Sequence, residues 1–266
     1  MPIGAVLEDI ELSSPDVRAL GEFYHRSFGL KQSFRGANAL LAAPGRTLKL
    51  IPGEAGRLVG ATYRFASGSD FAAFTARLQD AGAVFTLHGD AVSVTDPEGR
   101  VLRFRHGDDP NPHHGDARLQ HFAVRTPEPE KLVAFYEGTL GFVVSDLVRD
   151  EEGVLRAAFL RTDNEHHALA IFRSAETRFD HFSCEVQNWT ELRDWADRMA
   201  ANGVTLAWGI GRHGPGNDTF FMVKDPDGNM AEISAELEVC APDRPAGLWP
   251  HRPETLNRWG VAIMRS

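Results

Sequence analysis

Cysteine is nearly absent from this chain: Cys184 and Cys240 are the only two in 266 residues, and they make no metal-like spacing. A chain of this size builds its core without disulfides, and a reducing, cytoplasmic address is the default expectation. Positive charge is also in short supply. Twenty-eight Lys and Arg against 37 Asp and Glu leave a formal net charge of -9, which gives no encouragement to nucleic-acid binding. No apolar run is long enough to cross a bilayer, and no basic start leads into an apolar stretch as in a secretory leader. What is present is a hydrophobic content of 42%, sufficient for one large core or two linked ones in a globular protein.

The chain is written twice. LEDIELSSPDVRALGEFYHRSFGL from Leu7 aligns without gaps 112 positions upstream of LQHFAVRTPEPEKLVAFYEGTLGF from Leu119. Pro15 falls on Pro127, Phe23 and Tyr24 on Phe135 and Tyr136, and Gly29 on Gly141. DPEGRVLRF from Asp96 likewise matches DPDGNMAEI from Asp225, each a turn signal between two strand-like runs. ATYRFASGSDFAAFTARLQDAG pairs with HFSCEVQNWTELRDWADRMAANG when one inserted residue is allowed. A self-match of this length implies tandem duplication, so the differences between the copies carry the information.

Those differences are chemical. Asp9, Ala61 and Arg103 in the first copy stand opposite His121, His181 and Glu232 in the second. Two imidazoles and one carboxylate form the ligand set that leaves open positions on Fe(II) in non-haem iron oxygenases, with Mn(II) also accepted. An Arg at the third position repels a cation, so the first copy is expected to be metal-free.

Periodicity gives each half an opening strand and an amphipathic helix, residues 15 to 27 and 127 to 139, then alternating strand-like runs. A second helix is expected at about 70 to 81 and 190 to 201, followed by short closing strands. His121 and His181 are expected to open their strands, with Ala123 and Arg125 on the face of the first and Ser183 and Glu185 on the face of the second. The polar, Pro- and Gly-rich run from His106 to Arg118 suits a linker, with His113 and His114 as linker residues. The expected units are a metal-free module over 1–108, a linker over 109–117, a metal-binding module over 118–238 and an extension over 239–266. Leu248, Trp249, Leu256 and Trp259 give that extension too much apolar area for a loose tail, so it is expected to pack over the second module or a neighbouring subunit.

The repeat from Leu7, HHALAIF at 166, DHF around His181, WGIGRHGPGNDTFF from Trp208, DPDGNMAEIS from Asp225 and a Trp-containing extension together resemble the vicinal oxygen chelate superfamily, and within it the two-domain extradiol ring-cleavage dioxygenases. The resemblance implies an α+β fold of tandem modules, each a pair of βαβββ units forming an incomplete barrel, with iron only in the C-terminal module. It implies that His121, His181 and Glu232 are the iron ligands, His167 the acid/base histidine, with His166 the adjacent alternative, and His213 a second histidine near the catechol oxygens. Substrate and partners would be a small aromatic diol and O2, in a homo-oligomer. Trp208, Phe220 and Met222 are the candidate pocket walls. Met222 is a departure, because family members commonly carry a tyrosine ten positions before the glutamate and methionine cannot donate a proton. Two other classes therefore stay open: a metal-dependent isomerase or lyase of the glyoxalase kind, and a non-catalytic binding module.

Overall fold

The duplication in the sequence is a duplication of strand order. The computed structural model describes residues 1–108 and 115–264, so His113, His114 and most of the expected linker lie outside the described residues. The first half runs β1 (Ala5–Ser14), α1 (Val17–Phe28), β2 (Lys31–Arg35), β3 (Asn38–Ala43) and β4 (Arg46–Pro52). It then repeats the pattern as β5 (Arg57–Phe65), α2 (Gly68–Asp80), β6 (Phe85–His88), β7 (Ala91–Thr95) and β8 (Val101–His106). The second half gives β9 (Arg118–Thr126), α3 (Pro129–Ala134), β10 (Val143–Arg149), β11 (Leu155–Arg161) and β12 (Leu169–Arg173). Its second unit is β13 (Arg178–Val186), α4 (Trp189–Ala201), β14 (Leu206–Arg212), β15 (Thr219–Lys224) and β16 (Met230–Ala235).

Each half is one sheet of two βαβββ units joined at their first strands. The orders are β2-β3-β4-β1-β5-β8-β7-β6 and β14-β15-β16-β13-β9-β12-β11-β10, the latter extended by β17 (Gly247–Pro250). This is the mixed α+β architecture expected of tandem vicinal oxygen chelate modules.

Local signals explain the elements. Val17, Leu20, Tyr24 and Phe28 bury one face of α1, the Asp16 carboxylate accepts from the Arg18 and Ala19 amides, and Gly29 ends the helix at φ 68°, a value glycine adopts without strain. The matching helix in the second half differs from expectation. Pro129 opens α3 without a side-chain cap, and after Ala134 the chain widens into a π-helical turn over Phe135–Thr139.

The halves share a core. Phe182 lies 5.6 Å from Tyr24 and 6.1 Å from Phe28, and Trp195 packs on Phe28 at 5.8 Å. Burial of each such ring contributes about 1.5–3 kcal/mol. The repeat then exchanges hydrogen bonds with itself: Tyr24 Oη donates to Asp225 Oδ2 at 2.8 Å, and the matching Tyr136 Oη donates to Asp96 Oδ2 at 3.1 Å. Each tyrosine thus caps the aspartate turn of the other copy.

The C-terminal extension packs, though not through every residue expected. β17 adds to the edge of β10, Leu256 in α5 (Pro253–Leu256) is buried, and Trp249 is half-buried. Leu248 is 71% exposed, because alternate residues of an edge strand face outward, and Trp259 is 52% exposed, resting against Trp189 and the Arg212 guanidinium. Both cysteines are free and buried. Among the described residues, no helix is long and apolar enough to cross a membrane.

Candidate metal centre

The site is assembled across the concave second sheet. Register places Trp208, Met222, Glu232, Ser183 and His121 side by side on five adjacent strands, and cross-strand partners share a face. His181 enters beside them, paired with Ala123 and Met230. Neither histidine opens its strand: His121 is the fourth residue of β9 and His181 the fourth of β13.

Two β-bulges decide what surrounds the histidines. The pairing of β13 with β9 slips between Phe179 and His181 and again between Ser183 and Cys184, which leaves Asp180 and Gln120 as extra residues. A bulge breaks the strict alternation of side chains, so a residue and its neighbour can address one group. Asp180 Oδ1 accordingly lies 2.6 Å from His181 Nδ1, and Gln120 Oε1 holds His121 Nδ1. Gln120 is itself fixed by donating to the His167 carbonyl at 2.7 Å, and Asp180 pairs with Arg125. With both Nδ1 atoms bound to acceptors, both histidines are held with Nε2 free to ligate.

The donor set fits a metal ion. His121 Nε2 and His181 Nε2 are 3.1 Å apart, His181 Nε2 is 3.9 Å from Glu232 Oε2, and the three ligand atoms all lie within 4.8 Å of one another. Adjacent ligands about 2.1 Å from one centre stand about 3 Å apart. Glu232 is wholly buried; its Oε1 accepts from Ser183 Oγ at 3.1 Å, while Oε2 lacks a hydrogen-bond donor. A buried carboxylate oxygen left in this state calls for a cation. Burial pushes the Glu232 carboxyl up, but His213, His121 and His181 outweigh it and bring it down to about 2. Burial takes His121 down to about 3, against the pull of Glu232, so its ring is neutral and able to ligate.

The remaining predicted residues divide into two groups. His167, His213 and Met222 line the same cavity as the three candidate ligands, together with Phe159, Ala170, Phe172, Pro215, Thr255 and Leu256. His167 stands 4.3 Å from His121, ring to ring, and burial together with the neighbouring His121 and His166 rings holds it well below the usual histidine range. His213 Nδ1 donates to the Leu256 carbonyl and its Nε2 lies 3.8 Å from Glu232 Oε2. Burial opposes protonation of His213, yet the Asp218 and Glu232 carboxylates raise it above the usual range. His166, Trp208 and Phe220 are not among the cavity's lining residues. Phe220 stacks on the His213 ring at 3.7 Å and 6°, Trp208 packs against both, and His166 stands behind His167.

Asp218 had no legible signal in the sequence. Asp218 is fully buried with neither carboxylate oxygen hydrogen-bonded, and burial raises its carboxyl to about 7. It shares a second donor cluster with His213 and Glu232. Gly214 and Gly216 admit neighbouring chain: a Cβ on Gly214 would lie 2.7 Å from the Thr255 carbonyl oxygen, and one on Gly216 would lie 3.1 Å from His166 Nδ1. In the first half, the counterpart of His121 is closed by ion pairing. Asp9 accepts from Lys49 at 2.7 Å and from Thr62 at 3.1 Å, and Arg103 faces Glu11 at 3.5 Å.

Residues 118–233 match the family described as the Glyoxalase/Bleomycin resistance protein/Dioxygenase superfamily. The chain is 32% identical over 151 residues to Metapyrocatechase 2 of Cupriavidus necator, a match covering 55% of this chain and 45% of that protein. It is 26% identical over 275 residues to biphenyl-2,3-diol 1,2-dioxygenase of Paraburkholderia xenovorans (strain LB400), covering 89% of this chain and 91% of that one. The fold is shared with the Mn(II)-bound glyoxalase from Novosphingobium aromaticivorans, at a TM-score of 0.80 and 23% identity over 97% of this chain and 91% of its counterpart.

Proposed function

We propose that this chain, whose residues 118–233 match the Glyoxalase/Bleomycin resistance protein/Dioxygenase superfamily, is an Fe(II)-dependent extradiol dioxygenase that opens a catecholic ring beside its vicinal diol with incorporation of both atoms of O2. The observation that carries this reading is one cavity holding a two-histidine, one-carboxylate donor set together with two further histidines, His167 and His213. His121, His181 and Glu232 would hold the iron, with Mn(II) compatible with the same donors. The metal would supply Lewis-acid chemistry toward the diol and dioxygen.

The chain's own residues account for the rest. His167, neutral through burial, accepts a proton from the diol at its cavity-facing nitrogen and returns it later in the reaction. His213 keeps Nε2 for the substrate oxygens because Nδ1 is committed to the Leu256 carbonyl. Phe159, Phe172, Met222 and Leu256 offer an apolar wall that excludes water and packs against an aromatic ring. That wall favours a catechol with apolar substituents. Trp208 and Phe220 act indirectly, by fixing His213. The two units joined at residues 109–117 and the extension from 239 make one working chain, in which the second unit carries the chemistry. A cytoplasmic address is part of the reading, as is a homo-oligomer, for which the exposed Leu248 and Val261 of the extension offer apolar contact area.

The test is oxygen uptake by anaerobically Fe(II)-loaded protein across monocyclic and biaryl catechols, with His181→Ala as the control. Uptake coupled to a coloured ring-opened product, lost in the control, is the expected result. Iron-loaded protein that consumes no oxygen with any diol would overturn the reading. One observation favours a second reading: Met222 sits directly opposite Glu232, where it offers no hydroxyl to a diol. That wall, with the fold shared with a Mn(II)-bound glyoxalase, suits a metal-dependent isomerase or lyase, which would convert a chelating substrate without consuming oxygen.

A further inference from the structure

Behind His167 lies a chain of buried polar groups that the metal centre does not use. His166 Nδ1 is 3.0 Å from His167 Nδ1, and His166 Nε2 is 3.0 Å from Asp146 Oδ2. His166 and Asp146 are both wholly buried. Asp146 is surrounded by donors from the C-terminal extension: Trp249 Nε1 reaches Oδ2 at 2.7 Å, Arg244 Nη2 reaches Oδ1 at 3.0 Å, and the Gly247 amide reaches Oδ1 at 3.1 Å. Burial pushes the Asp146 carboxyl up, but His166, Trp249 and Arg244 together bring it below the usual carboxylate range.

The proton positions follow from donor and acceptor counting. Indole, guanidinium and backbone amide can only donate, so Asp146 is an acceptor at both oxygens; a bare Nε2 lone pair 3.0 Å from Oδ2 would be repelled, so His166 Nε2 carries the hydrogen, although the contact lacks the angle of a hydrogen bond. With its hydrogen on Nε2 alone, His166 has a bare Nδ1 that can only accept. The hydrogen in the contact between the two imidazoles therefore belongs to His167 Nδ1, which leaves the His167 Nε2 lone pair for the cavity. We propose that Asp146 and His166 are positioning residues that fix the tautomer of His167, and that residues 244–249 of the extension hold this relay in place. When His167 takes up a proton at Nε2, its positive charge is met by His166 and, one ring further, by the Asp146 carboxylate. No net transfer along the relay is required.

The inference rests on His167 as the acid/base group of the proposed function, and its test has a readout independent of turnover. Histidine 15N NMR of the metal-free folded protein reports which ring nitrogen of His167 carries hydrogen. The wild type is expected to show hydrogen on Nδ1. In Asp146→Asn the amide donates to His166 Nε2, the relay reverses, and the His167 hydrogen moves to Nε2. Catechol turnover is then expected to fall about 10–100-fold in kcat with KM within about threefold and metal content unchanged. Should Asp146→Asn lose cooperative unfolding, His166→Gln carries the same test, since its amide fills the gap without relaying a ring tautomer. Hydrogen on His167 Nε2 in the wild type, or on Nδ1 in wild type and variant alike, overturns the inference whatever the activity. Failure of every catechol to react overturns the function but leaves the tautomer result to decide the relay.

Discussion

The two ligand histidines are held by different chemistry, and this difference sets a measurable asymmetry. Asp180 presents an ionised carboxylate to His181 Nδ1 at 2.6 Å, whereas Gln120 presents a neutral amide oxygen to His121 Nδ1. A hydrogen bond to a charged group contributes about 1.5–3 kcal/mol and a neutral one about 0.5–1.5 kcal/mol. Asp180→Asn keeps the shape and an acceptor oxygen while removing the charge, so the bond to His181 weakens by about 1–1.5 kcal/mol. That loss lowers the ligating power of Nε2 and weakens metal affinity about tenfold. The residual pairing of Asp180 with Arg125 is also lost, but the Arg125 side chain is 28% exposed and recovers water, so the larger effect should appear in metal binding. The assay is anaerobic titration with Fe(II) and with Zn(II) against a competing chelator of known affinity. Asp180→Asn is compared with wild type. Equal affinity within twofold for Asp180→Asn and wild type would refute the reasoning.

Asp218 gives a pH prediction for the metal-free protein. Its native carboxyl sits at about 7, above the unfolded value near 4, so the native state holds a proton that the unfolded chain releases between these limits. Stability from this group therefore falls as pH rises from about 4 to about 7, and Asp218→Asn should remove that fall; urea midpoints with the same pH slope in both proteins would contradict it. Met222→Tyr places a hydroxyl opposite Glu232 in a fully buried position, and is expected to lower the KM for diols while costing about 1–3 kcal/mol of stability through overpacking. An unchanged KM in metal-replete variant would count against that wall as a substrate contact. Tyr24→Phe and Tyr136→Phe each leave a buried aspartate of the opposite copy short of a donor, and each is expected to cost about 1–3 kcal/mol in chemical denaturation; midpoints equal to wild type would show the exchange to be energetically idle.

The sequence alone determined the repeat, the fold class and the donor set. Duplication fixes which positions correspond, and His121, His181 and Glu232 differ from Asp9, Ala61 and Arg103 in ligand chemistry that is visible residue by residue. Helix positions were legible to within a few residues because burial of one helical face imposes its spacing, although the π turn after Ala134 left no trace in that spacing. Tertiary structure alone decided what stands next to what. Gln120 and Asp180 address the ligands because bulges break the alternation that a linear reading assumes. His166, Trp208 and Phe220 support the cavity lining from behind, His166 against His167 and the other two against His213, contacts that no linear pattern records. Asp146, Asp218 and the donors at 244–249 belong to the site through contacts spanning up to a hundred residues of chain, and no local pattern records a contact made at that separation.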